Sequence, residues 1–178
     1  PWTEFWSMGE GRGAPSFFLS VTAFAARGHS MHVLMPGPPS SPPEEDYHGV
    51  TLHRFRTTVD FMPDVGGSKV VQHARLASSY LSWRRRATRE ARALAFRLDP
   101  DVLFGMGALG APVASVVAGE LGVPNVTRLF GTSLGEVLDN PLKSLLRYRE
   151  KKAFRSRSDY LVLCDDGSGG DEIARRLG

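Results

Sequence analysis

The chain has 178 residues, of which 42% are hydrophobic and 23% charged, and its formal net charge is +3 at pH 7. This length predicts one globular domain with its own core and leaves little room for a second. The single cysteine, Cys164, excludes an internal disulfide framework and a cysteine-based zinc site, and it suits a reducing cytoplasm. No apolar run approaches the ~20 residues needed to cross a bilayer, so we expect a cytoplasmic protein, at most peripheral to a membrane.

The first informative segment is glycine-rich. Gly9–Ser16 leads directly into an amphipathic helix that is predicted to end at Gly28. A glycine-rich loop before a helix presents free backbone N–H groups and the positive end of the helix dipole, which together bind anions. One interpretation is a loop that binds an anion or a sugar ligand, and a second is a flexible connection.

A dinucleotide site is the third interpretation of this loop. Gly9, Gly11 and Ala14 satisfy the pattern G-x-G-x-x-A, which is weak by itself. The pattern also requires an acidic residue at the end of the second strand to bind the ribose hydroxyls, and here that strand ends in Met35–Gly37. The sequence therefore argues against NAD or FAD.

Strand and helix patterns alternate along the rest of the chain. The predicted strands are Ser30–Met35, Val50–Phe55, Val102–Phe104, Asn125–Phe130 and Tyr160–Cys164. The predicted helices are Pro15–Arg27, Val71–Leu98, Ala111–Leu121, Pro141–Arg157 and Asp171–Leu177. Pro36–Asp46 is predicted to be a polar, proline-rich loop, and Val71 and Leu81 are expected among the apolar positions of the long helix. We predict an α/β, doubly wound, mainly parallel, Rossmann-like sheet whose ligands bind at the carboxyl ends of the strands. Pro1–Met8 does not read as a buried strand, so the sheet is expected to lack its first strand.

Five blocks carry a resemblance to a known family. The second block contains Ala-Ala-Arg-Gly-His-Ser-Met-His-Val, close to the family pattern L-A-x-R-G-H-x-V-x-V. The blocks are, in chain order, Gly13–Ser16, Phe24–Gly37, Pro100–Leu103, Ala118–Val126 and Tyr148–Leu177. With these blocks in this order the chain resembles the N-terminal domain of family 4 glycosyltransferases of the GT-B fold.

The resemblance implies a retaining transfer of sugar from a nucleotide-sugar to an acceptor held mainly by this domain. It implies no cofactor, metal or catalytic residue within the chain. Nucleotide binding and the motif of two glutamates seven residues apart belong to a C-terminal domain, which would follow Gly178. On this basis residues 1–178 form a single domain, the acceptor-side half of an enzyme, expected to be inactive alone.

The resemblance also assigns site residues. Gly11, Arg12 and Gly13 would form the donor-phosphate loop, although Arg12 replaces the first of the family's paired glycines. The histidine often found after the fourth strand is absent, and Phe130 stands in place of the one often found after the fifth. The acceptor cleft itself is expected at the carboxyl ends of the strands, which places there Met106, Gly107, Arg128, Phe130, Gly131, Thr132, Asp165 and Asp166.

Three of these charged residues have two interpretations each. Arg128 either clamps a phosphate or carboxylate of the acceptor, or forms an ion pair within the protein. Asp165 and Asp166 either accept hydrogen bonds from sugar hydroxyls or cap the next helix, and capping is favoured.

The histidines are predicted to be structural. His29 is expected to be a packed turn residue, and His32 and His53 lie on strands without a partner at metal spacing.

Basic residues concentrate in the helices Val71–Leu98 and Pro141–Arg157. They are predicted to form solvated faces, with an anionic membrane surface as the alternative; that surface would suit a lipid-linked acceptor. No aromatic residues interleave them at the spacing needed for base stacking, which argues against nucleic-acid binding. Two functions are therefore considered: part of a glycosyltransferase, with a sugar or lipid-linked acceptor and the C-terminal domain as partners, and a non-catalytic Rossmann-like binding or regulatory module.

Overall fold

The structure is a computed structural model that describes residues 15–37, 40–56 and 69–177. The predicted donor-phosphate loop, Gly11–Gly13, and the question of a strand before Gly9 lie outside these residues. The chain divides into two compact units, Pro1–Trp83 and Arg84–Gly178. The assignment of residues 1–178 to one enzyme domain stays a prediction.

The N-terminal unit contains a helix and a mixed sheet. Its first elements, in chain order, are α1 (Pro15–Ala26), β1 (Met31–Gly37), β2 (Glu44–Tyr47) and β3 (Val50–Arg56). The strand order is β1-β3-β2, with β1 parallel and β2 antiparallel to the central β3. Its core is formed by Val21, Met35, Val50 and Leu52.

The polar segment before β3 is where the sequence prediction was wrong. Pro36–Asp46 was expected to be a loop, but β1 continues through Gly37 and β2 begins at Glu44. Two acidic residues of β2 contact basic side chains of β3: Glu44 lies opposite His53, and Glu45, which lies opposite Leu52, forms an ion pair with Arg54. Arg54 Nη2 lies 2.6 Å from Glu45 Oε2, and its backbone N–H donates to the Pro43 carbonyl.

A long helix, α2 (Lys69–Leu98), contains the boundary between the two units. The helix and its arginine-rich outer side are as predicted, but its buried face is different. Val71 and Leu81 were expected to be apolar contacts and are exposed, because the buried positions are Tyr80, Trp83, Ala87 and Ala95.

The C-terminal unit contains a parallel sheet of strands alternating with helices. Its further elements are β4 (Leu103–Met106), α3 (Gly107–Leu121), β5 (Asn125–Leu129), α4 (Pro141–Leu146), α5 (Tyr148–Phe154), β6 (Tyr160–Leu163) and α6 (Gly170–Leu177). The strand order is β4-β5-β6 with both pairs parallel. The core is formed by Ala111, Leu129, Leu134, Ala153, Phe154 and Ile173.

The connection from β4 to α3 is very short, and α3 begins at Gly107, four residues before the predicted Ala111. Gly105 allows this close packing. A Cβ added there would lie 2.7 Å from the Ala111 Cα and 3.0 Å from the Ala114 Cβ. A side chain at this position would therefore push the helix away from the strand.

The basic segment near the C-terminus is two helices rather than the single predicted helix Pro141–Arg157. Asn140 caps α4 by accepting a hydrogen bond from the Lys143 backbone N–H, and the helical path breaks at Arg147. Leu142 and Leu145 are 81% and 68% exposed. Among the described residues, no helix is both long enough and apolar enough to span a bilayer.

The prediction of an α/β fold is confirmed. The β4–β5–β6 sheet is parallel and the β1–β3–β2 sheet is mixed, and both are compatible with a Rossmann-like fold.

Candidate functional site

The carboxyl ends of β4, β5 and β6 lie along one edge of a parallel sheet. In the strand register Met106 is opposite Arg128, and Leu129 is opposite Leu163. Loops that follow adjacent parallel strands meet at this edge, where ligands of open α/β sheets bind. Met106 and Gly107 form the turn into α3, and the other predicted cleft residues lie on the end of β5 or in the loops after β5 and β6.

A hydrogen-bonded group joins the loops after β5 and β6; we call it the edge network and define it as Gly131, Thr132, Asp166 and Ser168. The Thr132 backbone N–H donates to Ser168 Oγ at 3.0 Å. The Ser168 hydroxyl donates to the Asp166 carboxylate, and the Ser168 N–H donates to Asp166 Oδ1 at 3.0 Å. The Gly131 N–H also donates to Asp166. Three predicted cleft residues are therefore brought together.

Asp166 closes a turn rather than capping the next helix. Its hydrogen bond reaches only two residues ahead, to Ser168, whereas α6 begins at Gly170. The favoured capping role is thus wrong for Asp166, because its carboxylate is bonded within the turn and Gly169 separates Ser168 from the helix. Asp165 is exposed and lies next to it.

Gly131 is tightly placed against Asp166. A Cβ added to Gly131 would lie 2.2 Å from Asp166 Oδ2 and 3.2 Å from its Cγ. Because Asp166 Oδ1 is fixed by the Ser168 N–H, the carboxylate cannot turn aside without losing a hydrogen bond. Glycine is therefore required for the two loops to approach this closely.

Glu150 on α5 accepts hydrogen bonds from the loop that follows β5. Its Oε2 accepts hydrogen bonds from Thr132 Oγ1 and the Ser133 N–H, both at 3.0 Å, and its Oε1 accepts from Ser133 Oγ at 3.0 Å. Thr132 Oγ1 in turn accepts from the Leu134 N–H at 3.1 Å. Charge-assisted hydrogen bonds of this kind are stronger than neutral ones, so Glu150 fixes the conformation of the loop.

Arg128 and Phe130 contact each other. The guanidinium carbon of Arg128 lies 5.4 Å from the centroid of the Phe130 ring, within the range of a cation–π interaction. Both side chains are half-buried. The ring orients the guanidinium, whose planar N–H fork matches a phosphate or carboxylate.

A shallow depression lies beside the edge network and encloses no space large enough for a water molecule. It is lined by Leu129, Gly131, Phe154, Leu163, Cys164, Ser168 and Gly170. Most of the lining residues are apolar or glycine, and Ser168 is the member shared with the edge network that carries a hydroxyl.

Sequence reasoning missed Ser133, Glu150 and Ser168. A run of hydroxyl residues directly after a predicted strand, as at Thr132–Ser133, is a signal that could have identified the first of them. Glu150 lies on a helix 18 residues from Thr132, and its role follows only from the packing of α5.

The Ser168 hydroxyl and the Ser168 backbone N–H hold the pKa of Asp166 below its usual value. A carboxylate whose pKa is lowered in the folded state stabilises that state above the ordinary carboxyl pKa. This contribution is lost as the pH falls through the lowered pKa of Asp166.

We expect Ser168→Ala to raise the pKa of Asp166, because the hydroxyl donor that favours the carboxylate form is removed. Carbon-detected NMR titration of the Asp166 carboxyl measures the change. Ser156→Ala is the matched control, since Ser156 Oγ donates only to the Lys152 carbonyl on α5 among the described contacts. An unchanged pKa in Ser168→Ala would show that the hydroxyl does not determine it.

Among residues 15–37, 40–56 and 69–177, no group of three or more His, Cys, Asp or Glu side chains is placed to hold a metal ion. The chain matches no family model and no curated protein. Its function is therefore inferred from the residues at the sheet edge and from the sequence resemblance.

Proposed function

We propose that this chain is the acceptor-side domain of a GT-B glycosyltransferase of family 4, which transfers a sugar from a nucleotide-sugar with retention. The observation that carries the proposal is the edge network at the carboxyl end of a parallel sheet. Its hydroxyl, carboxylate and backbone groups are of the kind that exchange hydrogen bonds with a polyhydroxylated acceptor.

In this proposal each part of the edge has its own task. Asp166 accepts a hydrogen bond from an acceptor hydroxyl, since a carboxylate can accept at several positions around its two oxygens. Arg128, oriented by Phe130, binds a phosphate or carboxylate on the acceptor, as a lipid-linked sugar would carry. Glu150 positions Thr132 without contacting the acceptor.

The donor side of the proposal rests on the resemblance. The resemblance assigns Gly11, Arg12 and Gly13 to binding the donor diphosphate and stabilising charge on the leaving group. The nucleotide is held by a second α/β domain encoded after Gly178, and closure of the two domains brings the donor sugar to the acceptor. The exposed leucines of α4 and its Lys143 suit an anionic membrane surface that supplies a lipid-linked acceptor.

The test uses the polypeptide read from the gene beyond codon 178. We expect a second α/β pattern with two glutamates seven residues apart, and sugar transfer from a nucleotide-sugar. Asp166→Asn should raise the KM for the acceptor by about tenfold and leave the KM for the donor unchanged, a loss of about 1.4 kcal/mol for one charged hydrogen bond.

Asp171→Asn is the control, because Asp171 pairs with Arg175 on the exposed surface of α6. A donor KM that changes with Asp166→Asn would contradict the assignment of this edge to the acceptor. A stop codon after Gly178, with no separate gene for a second half, would favour the binding or regulatory module instead.

A further inference from the structure

Four polar side chains of the N-terminal unit form a continuous hydrogen-bonded line, which we call the sheet relay and define as Ser30, His32, His53 and Glu44. Ser30 Oγ lies 3.2 Å from His32 Nε2, and His32 Nδ1 lies 3.0 Å from His53 Nε2. His53 Nδ1 lies 3.1 Å from Glu44 Oε2. The sheet relay therefore runs from a hydroxyl through two imidazoles to a carboxylate.

The strand order explains why these residues meet. His53 is on the central strand β3, directly opposite Glu44 on β2 and Leu34 on β1. His32 is two residues before Leu34 and so lies on the same face of β1. The two imidazole rings stack with their centroids 5.2 Å apart. His32 and His53 are 21 residues apart in the sequence, and the parallel pairing of β1 with β3 brings them into contact.

The sheet relay is exposed at both ends and buried only at His53. His53 is 7% exposed, whereas Ser30, His32 and the Glu44 side chain are exposed to solvent. The Ser30 end is consequently accessible to a substrate, and the His53 imidazole is shielded from water. Such an arrangement keeps the His53 imidazole in one orientation while the Ser30 hydroxyl remains free to react.

The carboxylate fixes the direction of every hydrogen bond when both imidazoles are neutral. An ionised carboxylate only accepts, so His53 Nδ1 carries the proton and donates to Glu44. His53 Nε2 must then accept from the Nδ1–H of His32. His32 Nε2 is left as the acceptor, and the Ser30 hydroxyl donates to it. Each imidazole has one allowed tautomer.

We propose that the sheet relay makes Ser30 a nucleophile that reacts with carboxylic esters. A serine within 2.6–3.2 Å of a histidine, with that histidine oriented by a third group, is the arrangement that activates a hydroxyl. Here Ser30 and His32 are the catalytic residues, and His53 and Glu44 are positioning residues. This activity is separate from sugar transfer and belongs to the other compact unit.

The reaction proceeds in two balanced steps. Ser30 Oγ forms a bond to the carbonyl carbon while its proton moves to His32 Nε2. The bond from that carbon to the alkoxy oxygen then breaks, and the departing oxygen takes the proton from His32 Nε2 as an alcohol. Water, deprotonated by the same nitrogen, releases the acyl group as a carboxylic acid and restores the Ser30 hydroxyl.

A fluorophosphonate is the probe that tests the proposal. Ser30 Oγ bonds to phosphorus, fluoride leaves, and the proton goes to His32 Nε2, so a stable adduct is recorded by intact mass and peptide mapping at pH 8. We expect one adduct, on Ser30, and none in Ser30→Ala. His32→Ala should slow labelling by about a hundredfold, since general-base assistance contributes at least that factor.

Glu44→Gln and Glu45→Gln form a matched pair on β2. The Glu44 side chain is 56% exposed, so the fold should tolerate the change, and Glu45 pairs with Arg54 outside the sheet relay. Glu44→Gln should slow labelling about tenfold and alter the ¹⁵N shifts of the His32 ring, whereas Glu45→Gln should change neither.

Three results would overturn the proposal: no adduct on Ser30 in the unsubstituted protein, an equal labelling rate in His32→Ala, or adducts spread over other serines. Each of them leaves the acceptor KM effect of Asp166→Asn unaffected, so this inference and the proposed sugar transfer fail separately.

Discussion

Glu150→Ala is expected to lower the free energy of unfolding of the C-terminal unit by about 3 kcal/mol. The substitution leaves two half-buried hydroxyls and one backbone N–H without the carboxylate they donate to. Hydrogen bonds to a charged group contribute about 1.5–3 kcal/mol each, and solvent replaces part of that here. Urea unfolding followed by circular dichroism measures the loss, and amide exchange at Ser133 and Leu134 should accelerate.

Glu136→Ala is the matched control, because Glu136 is exposed and follows the same loop. It should change stability by less than about 0.5 kcal/mol. Glu150→Gln retains one acceptor oxygen, so its loss of unfolding free energy should lie between those of Glu150→Ala and Glu136→Ala. A Glu150→Ala protein of unchanged stability, with unchanged exchange at Ser133, would contradict the role assigned to Glu150.

Gly105→Ala is expected to destabilise the same unit by about 1–3 kcal/mol, the range for an added methyl group in a well-packed core. The new Cβ would meet the Ala111 Cα at 2.7 Å, and backbone atoms of α3 cannot rotate away as the end of a side chain can. The helix must move off β4, which also displaces Met106 and Gly107 at the sheet edge. Chemical denaturation gives the stability, and amide chemical shifts along α3 report the displacement.

Gly119→Ala supplies the control of opposite sign. Gly119 lies on the exposed side of α3, and a Cβ there would meet nothing within 4 Å. Alanine is a better helix former than glycine, so this variant should be more stable by about 0.5–1 kcal/mol. Equal effects of the two substitutions would mean that helix propensity, rather than close packing at Gly105, governs both.

Periodicity predicted most helices and strands. It failed for β2, whose residues Glu44–Tyr47 are mainly acidic and whose pairing with β3 includes side-chain contacts of Glu44 with His53 and of Glu45 with Arg54. It also failed to divide the segment at Arg147, since the basic residues there suit a helix on either side of the break.

The position of the candidate site in the fold could be predicted from the sequence, but the contacts between its residues could not. The rule that ligands bind at the carboxyl ends of parallel strands located Gly131, Thr132 and Asp166 without any coordinates. The partners of these residues depend on tertiary packing, and Glu150 is brought to Thr132 by a helix that the sequence shows only as basic. The contact between His32 and His53 likewise depends on a strand register that sequence patterns do not fix.

The position of Glu150 links two surfaces of the C-terminal unit. Its helix, α5, carries the basic residues Lys151 and Lys152, while its carboxylate holds Thr132 and Ser133 at the sheet edge. An anionic partner that shifts α5 must therefore break or strain the bonds that shape the loop after β5. By thermodynamic reciprocity, a ligand that tightens this loop favours the resting position of α5. Coupling between the two surfaces would pass through the Glu150 carboxylate and through the core contacts of Ala153 and Phe154 on the same helix.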